Sequence, residues 1–360
     1  MSSALEQSAA AQFTARFGCR PAGTVFVPGR VNLIGEHVDY NDGLVLPMPV
    51  PEGTAIAWAA CDDAEVHVVA ADFDSEDRFA ANCLARPQAI DWRPYVRGMW
   101  ANAPVRPDSG AQLLVTGNLP RGSGLSSSAS LCVAVGRAMA QAAGRGVDPV
   151  ALSKAAQRTE HEWAGVACGI MDQMAVAAGA ERKALLLDCR DLSHSLVALP
   201  GDWEVGIVDS GVTRGLVDGE YNARREQCES AARKLGLGSL RDADRAMVEA
   251  ADLEPVQRNR ALHVVDEIAR VSQAADAIAA QDLHGMIGIL GEGHRSLRDL
   301  FEVSVPAVDA LVVRIDAILA GAGAARMTGG GFGGSLVVIG KRGSLETLGE
   351  QLDRPVRRAL

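Results

Sequence analysis

Three stretches of this chain concentrate residues able to do chemistry. The first runs Pro28-Gly29-Arg30-Val31-Asn32-Leu33-Ile34-Gly35-Glu36-His37-Val38-Asp39-Tyr40-Asn41-Asp42-Gly43. Arg30, Glu36, His37 and Asp39 fall within ten residues, among glycines that let the backbone turn tightly. Carboxylates at this density suit a site that recognises several hydroxyls, because each oxygen can accept from two O–H groups. A solvated turn carrying an Arg–Glu pair fits the same residues.

The second stretch joins a strand-like run to a helical run of small residues through Gly122, Ser123, Gly124, Leu125, Ser126, Ser127 and Ser128. Backbone N–H groups at such a helix start, with the helix dipole behind them, form an anion site. The serines add hydroxyl donors and an oxygen ligand for Mg²⁺; a flexible Ser/Gly turn with an N-cap serine is the plainer alternative. A Walker A loop is excluded, since it needs G-K-[ST] and none of Lys154, Lys183, Lys234 or Lys341 stands in that frame.

The third stretch, Met327-Thr-Gly-Gly-Gly-Phe-Gly-Gly334, fits G-x-G-x-x-G through Gly329, Gly331 and Gly334. A dinucleotide fold needs a strand before that loop and a helix after it. The pattern here predicts a helix over 306–320 and then a strand over 336–339, so that reading fails. Between the second and third stretches, His161-Glu162 suggests a zinc protease, but Gly165 stands where H-E-x-x-H needs its second histidine. Asp172 follows a glycine-containing bend and opens a short helix, where an N-cap role is the plainer reading.

The surrounding patterns predict the elements that position these residues. Thr24–Val27 is a strand running into a Pro28-Gly29 turn. Runs 54–60 and 65–71 read as an adjacent strand pair, and 112–116, 183–188 and 203–209 as further strands. Helices are expected over 126–143 and from 149 to about 163, the latter capped by Asp148 with Pro149 at its first position. Further helices follow over 220–235, 258–280, 283–297 and 306–320. The polar turn Arg190–His194 suggests a boundary between two packed α+β lobes, 1–195 and 196–360, with the site between them.

Composition narrows the classes. The 360 residues are 48% hydrophobic and 22% charged, a balance that excludes disordered, collagenous and coiled-coil chains. No apolar run approaches the ~18 residues of a membrane span, and the N-terminal stretch lacks a signal peptide's apolar segment, so no membrane association is expected. A net charge of −10 argues against nucleic acid. Seven scattered cysteines, never in C-x-x-C, read as buried thiols of a cytoplasmic protein.

Together the three stretches resemble the motifs of the GHMP small-molecule kinases, and within them the galactokinase branch. Gly29–His37 with Asp39-Tyr40-Asn41 is similar to that branch's N-terminal signature, Pro120–Ser130 to the family's phosphate loop, and Gly329–Gly334 to its C-terminal glycine motif. Val38 stands where relatives usually carry Thr, and Pro49 where a small residue is usual. The resemblance implies an α+β, two-lobed fold with a left-handed βαβ unit in the N-terminal lobe and helices on an antiparallel sheet in the other. It implies ATP-dependent phosphorylation of galactose at C1, the first committed step of galactose catabolism, by a monomer. Acting on an N-acetylated sugar, or serving as a non-catalytic galactose/ATP sensor, are the alternatives.

By the same resemblance Glu36, His37, Asp39, Gly169, Asp172 and Tyr221 hold the sugar, and Arg30 and Asp172 face the reacting hydroxyl. Ser128 and Glu160 hold Mg²⁺, residues 122–128 hold the triphosphate, and Trp92 and Tyr95 lie against the adenine. Packing into the core is the other reading of these two aromatics.

Overall fold

The computed structural model describes residues 2–82, 84–89, 91–120, 122–212 and 217–359. The chain begins with α1 (Ser2–Phe17), β1 (Gly23–Asn32), β2 (Leu44–Val45), β3 (Pro47–Cys61), β4 (Glu65–Ala70) and β5 (Ser75–Ala80). It continues through α2 (Arg93–Asn102), β6 (Gly110–Gly117), α3 (Ser127–Ala142), α4 (Pro149–Thr159) and α5 (Met171–Ala178). Then come β7 (Lys183–Asp188), β8 (His194–Ala198), β9 (Trp203–Asp209), α6 (Val217–Lys234), α7 (Arg245–Ala250) and α8 (Pro255–Ala279). The last elements are α9 (Leu283–Asp299), α10 (Pro306–Leu319), β10 (Gly323–Met327), β11 (Ser335–Lys341), α11 (Ser344–Gln351) and β12 (Val356–Arg358).

Two compact units interleave along this chain: residues 1–30, 50–120 and 126–178 form one, and 31–49, 121–125 and 179–360 the other. A single cut between 195 and 196 does not reproduce that division, because the loop after β1 and the start of the Ser/Gly loop cluster with the later half.

The first unit is built on a sheet of order β1-β3-β6-β4-β5. Alternation along β3 explains how the sheet is covered on both faces: Ile56 and Trp58 pack with Met99, Trp100, Val133 and Leu152, whereas Ala55 and Ala57 pack with Ala9 and Phe13 of α1. β4 and β6 run parallel, and the connection between them includes α2. The expected pairing of 54–60 with 65–71 does not occur. β6, apolar on both faces, inserts between them, antiparallel to β3 and parallel to β4. β1 also runs past Pro28-Gly29 to Asn32, which places Arg30 on a strand. β1 is an edge strand, where a proline's missing N–H leaves no ladder bond unmade.

The second unit carries the antiparallel sheet β10-β11-β9-β12, a three-stranded sheet β2-β7-β8, and helices α6 to α11. β10 is the element that precedes the glycine motif, where the pattern gave only the helix before it. Its five residues carry a fully buried arginine, so they show no strand-like alternation. The strand β11 follows the motif, and the dinucleotide reading still fails. Among the described residues no helix is long and apolar enough to cross a membrane.

Candidate active site

In the first unit, β1 delivers Arg30 and the first turn of α5 delivers Asp172. Arg30 Nε donates to Asp172 Oδ1 at 2.8 Å and Nη2 to Oδ2 at 2.7 Å, a two-pronged contact that fixes the carboxylate plane. Ser126 Oγ donates to Oδ2 at 2.6 Å. Ser126 itself has φ 61°, in the left-handed region, at the start of α3. Among the described residues no side chain caps α3 there, and the first N–H groups of such a helix favour an anion. Asp172 keeps 29% of its side chain exposed while Arg30 keeps 6%, so of the two the acid is the more open to a ligand.

Beside this cluster, α4 ends at Thr159 and widens into a π turn over Glu160–Ala164. The expected helix to about 163 is thus interrupted. The turn buries Glu160, whose Oε2 accepts from Ser128 Oγ at 3.0 Å and whose Oε1 accepts from Gln173 Nε2 at 2.7 Å. Burial pushes its carboxyl up to about 7, against the pull of those two hydrogen bonds. Gly169 is buried just before α5. Trp92 belongs to the hydrophobic core, with Nε1 donating to Ser75 Oγ at 3.0 Å, and Tyr95 packs half-buried against the same core.

In the second unit, the loop after β1 folds back on itself. His37 sits at φ 62°, a conformation uncommon outside glycine. It is held by Asn41 Nδ2 donating to its carbonyl at 3.0 Å. Its ring is neutral, pushed down to about 3 by burial. Nε2 faces the Gly330 carbonyl at 3.2 Å and must carry the proton, so Nδ1 accepts from the Tyr40 hydroxyl at 2.9 Å. Tyr221 of α6 lies half-buried with its ring 5.3 Å from that of His37 and 5.6 Å from that of Tyr40. Asp39 opens a 3₁₀ turn and is half-buried.

Glu36 is buried, and its carboxylate is engaged within the protein. Arg326 Nη2 donates to Oε2, and the Gly329 N–H lies 3.4 Å from Oε1. The single Thr328 hydroxyl proton chooses between Oε1 at 3.2 Å and the Asn32 carbonyl at 2.8 Å. Burial and the neighbouring Glu267 raise the Glu36 carboxyl to about 7 despite Arg326. Ser335 Oγ donates to the Ser123 carbonyl at 2.8 Å, tying the start of the Ser/Gly loop to β11.

Sequence reasoning missed Arg326, Glu267 and His263. An arginine in a short strand and a His–Glu pair at helical spacing on α8 look like surface residues until burial is known. The i, i+4 spacing of His263 and Glu267 was the one available signal.

Comparison with known proteins agrees with this layout. Residues 11–60 match the galactokinase galactose-binding signature, residues 95–180 the GHMP kinases N-terminal domain, and residues 274–357 the GHMP kinases C-terminal domain. A galactokinase from Lactococcus lactis, solved with galactose, superposes with a TM-score of 0.89 at 29% identity, covering 98% of this chain and 97% of that one. The fold alone is shared with L. major mevalonate kinase in complex with R-mevalonate (TM-score 0.64, 16% identity, 94% and 97% covered). The same holds for Streptococcus pneumoniae phosphomevalonate kinase (TM-score 0.66, 15% identity, 93% and 99% covered). With its signature, both family domains and the two motif-bearing clusters in place, the chain belongs to the GHMP kinases and is a kinase of their galactokinase branch.

Proposed function

We propose that this chain transfers the γ-phosphoryl group of ATP to the C1 hydroxyl of galactose, giving galactose 1-phosphate and ADP. The observation that carries this reading is the Arg30–Asp172–Ser126 cluster: a partly exposed carboxylate, held in one orientation by three donors, beside the uncapped start of α3. Phosphoryl transfer through a loose transition state asks a protein mainly for alignment and charge neutralisation. The C1 oxygen gives its proton to the Asp172 carboxylate as its bond to phosphorus forms. The bond from phosphorus to the bridging oxygen breaks and ADP leaves. Arg30 orients Asp172 and offsets charge on the transferring group.

The triphosphate is assigned to residues 122–128 and the N–H groups that open α3. Asp39, Gly169 and Tyr221, with Glu36 and His37 shaping the loop, are assigned to the sugar. Trp92 and Tyr95 border the adenine from the core side.

Mg²⁺ fits the chemistry of Ser128 and Glu160. Both offer hard oxygen donors on one hydrogen bond, and Mg²⁺ commonly takes one or two protein oxygens with phosphate and water supplying the rest. When bound there, Mg²⁺ would supply charge neutralisation to the triphosphate.

The test is ADP release measured with a panel of sugars. Turnover with galactose and little with glucose or N-acetylgalactosamine is expected. Galactose binding without ADP release would identify a sensor instead.

A further inference from the structure

The mechanism above leaves a fully buried ionic group unused. Glu267 is 0% exposed and lies on α8, four residues after the equally buried His263, so both side chains project from one face of the helix. Glu267 Oε1 accepts from the Gly35 N–H at 3.0 Å, the Glu36 N–H at 3.4 Å and Arg326 Nη2 at 3.0 Å. Its Oε2 accepts from Arg270 Nε at 2.8 Å. His263 Nε2 donates to the Glu36 carbonyl at 3.2 Å, and the Ser296 hydroxyl, 2.8 Å from Nδ1, fixes that tautomer. Arg326 takes the Glu36 side chain. One residue of the loop is therefore gripped at its N–H, its carbonyl and its carboxylate by three buried side chains from two elements.

The far end of the loop is held as well. Ser239 Oγ donates to the Asn41 carbonyl at 2.7 Å and Arg241 Nη1 to the Asp42 carbonyl at 3.1 Å. Asp39 stands between the two anchored ends.

We infer that His263, Glu267 and Arg326 are positioning residues that clamp Glu36 and thereby set where the 36–39 loop presents its groups to the sugar. This rests on the reading of that loop as the sugar loop. A clamp of this kind acts on one substrate. Displacing a binding group by about 1 Å can cost on the order of 10²-fold, and that loss should fall on galactose and spare ATP.

The experiment uses the full chain with Glu267→Gln, Arg326→Lys and Arg326→Gln, read by the KM for each substrate and by the unfolding temperature with and without galactose. Glu267→Gln and Arg326→Gln should raise the galactose KM by on the order of 10²-fold. The ATP KM should stay within about twofold, and the thermal shift given by galactose should shrink. Arg326→Lys, which keeps the charge but not the planar fork, should fall between wild type and Arg326→Gln. Should the charge variants fail to fold, His263→Gln removes one backbone anchor without unpairing a charge and should raise the galactose KM alone.

Folded variants whose two KM values move together, or not at all, would overturn the clamp. Absence of galactose turnover in the wild-type chain would instead overturn the function proposed above, so the two failures are distinguishable.

Discussion

Two arginine–carboxylate pairs in this molecule use the same chemistry to opposite ends. Arg326 and Glu36 are 0% and 1% exposed, whereas Arg30 and Asp172 are 6% and 29% exposed. A pair sealed from water on both sides holds backbone in place. Removing Arg326 takes from the buried Glu36 carboxyl its one cationic partner among the described residues, the kind of loss that costs about 3–5 kcal/mol. A pair sealed on one side keeps its acid within reach of a ligand. Residue type marks where an ion pair can exist, while burial decides whether its acid is closed off or left within reach of a ligand.

The largest expected effect breaks the open pair. Asp172→Asn keeps the shape and the contact to Ser126 but removes the proton acceptor, and should lower kcat by on the order of 10²–10⁴-fold. The unfolding temperature should fall as well, since the nearly buried Arg30 loses its anionic partner, so the rate is read well below that temperature. A variant that folds and turns over at near the wild-type rate would end the assignment of Asp172 as base.

Next in size is Glu160, which sharpens the comparison because it is buried like Glu36 but lies beside the open pair. Glu160→Gln should raise the Mg²⁺ concentration needed for half-maximal activity by on the order of 10–100-fold, and should weaken MgATP binding measured by calorimetry. An unchanged Mg²⁺ requirement would move Glu160 to a purely structural role.

How much of this was legible in the sequence follows the same divide. Two parts of the open cluster stood out in contiguous stretches, Arg30 after Pro28-Gly29 and the Ser/Gly loop running into α3, whereas Asp172, 142 positions from Arg30, read locally as an N-cap and joined them only through the resemblance. Helices α8, α9 and α10 were close to their expected spans because their apolar periodicity is strong. The clamp was not readable, since Glu36, Glu267 and Arg326 are separated by 231 and 59 positions and meet only through the tertiary fold. Sheet order failed for the same reason. Runs 54–60 and 65–71 each show strand character, but nothing local says that β6, about fifty residues on, will lie between them. β10 was missed because its one arginine, Arg326, is buried and paired, which defeats any rule that places charge outside.

The smallest effect tests the closed side of the comparison through pH. Burial holds the His263 ring neutral in the folded chain, its value pushed down from 6.5 to about 4. Between those values the unfolded chain binds a proton that the folded chain refuses. This histidine's contribution is therefore fully present above 6.5 and is lost as pH falls toward 4, with a slope approaching about 1.4 kcal/mol per pH unit. His263→Gln removes the titrating ring, so the variant escapes that loss even though it forfeits the anchor on Glu36. Titrations of groups that His263 does not face occur in both chains and cancel in the difference, whereas His37, whose ring the His263 charge helps push down, adds a smaller change. Urea midpoints measured at pH 7.5 and pH 5 should show the variant well below wild type at the first and closer to it at the second. A gap that stays constant or widens on acidification would mean that His263 is not held neutral, and the buried side of the clamp would lose the sealed character that separates it from Asp172.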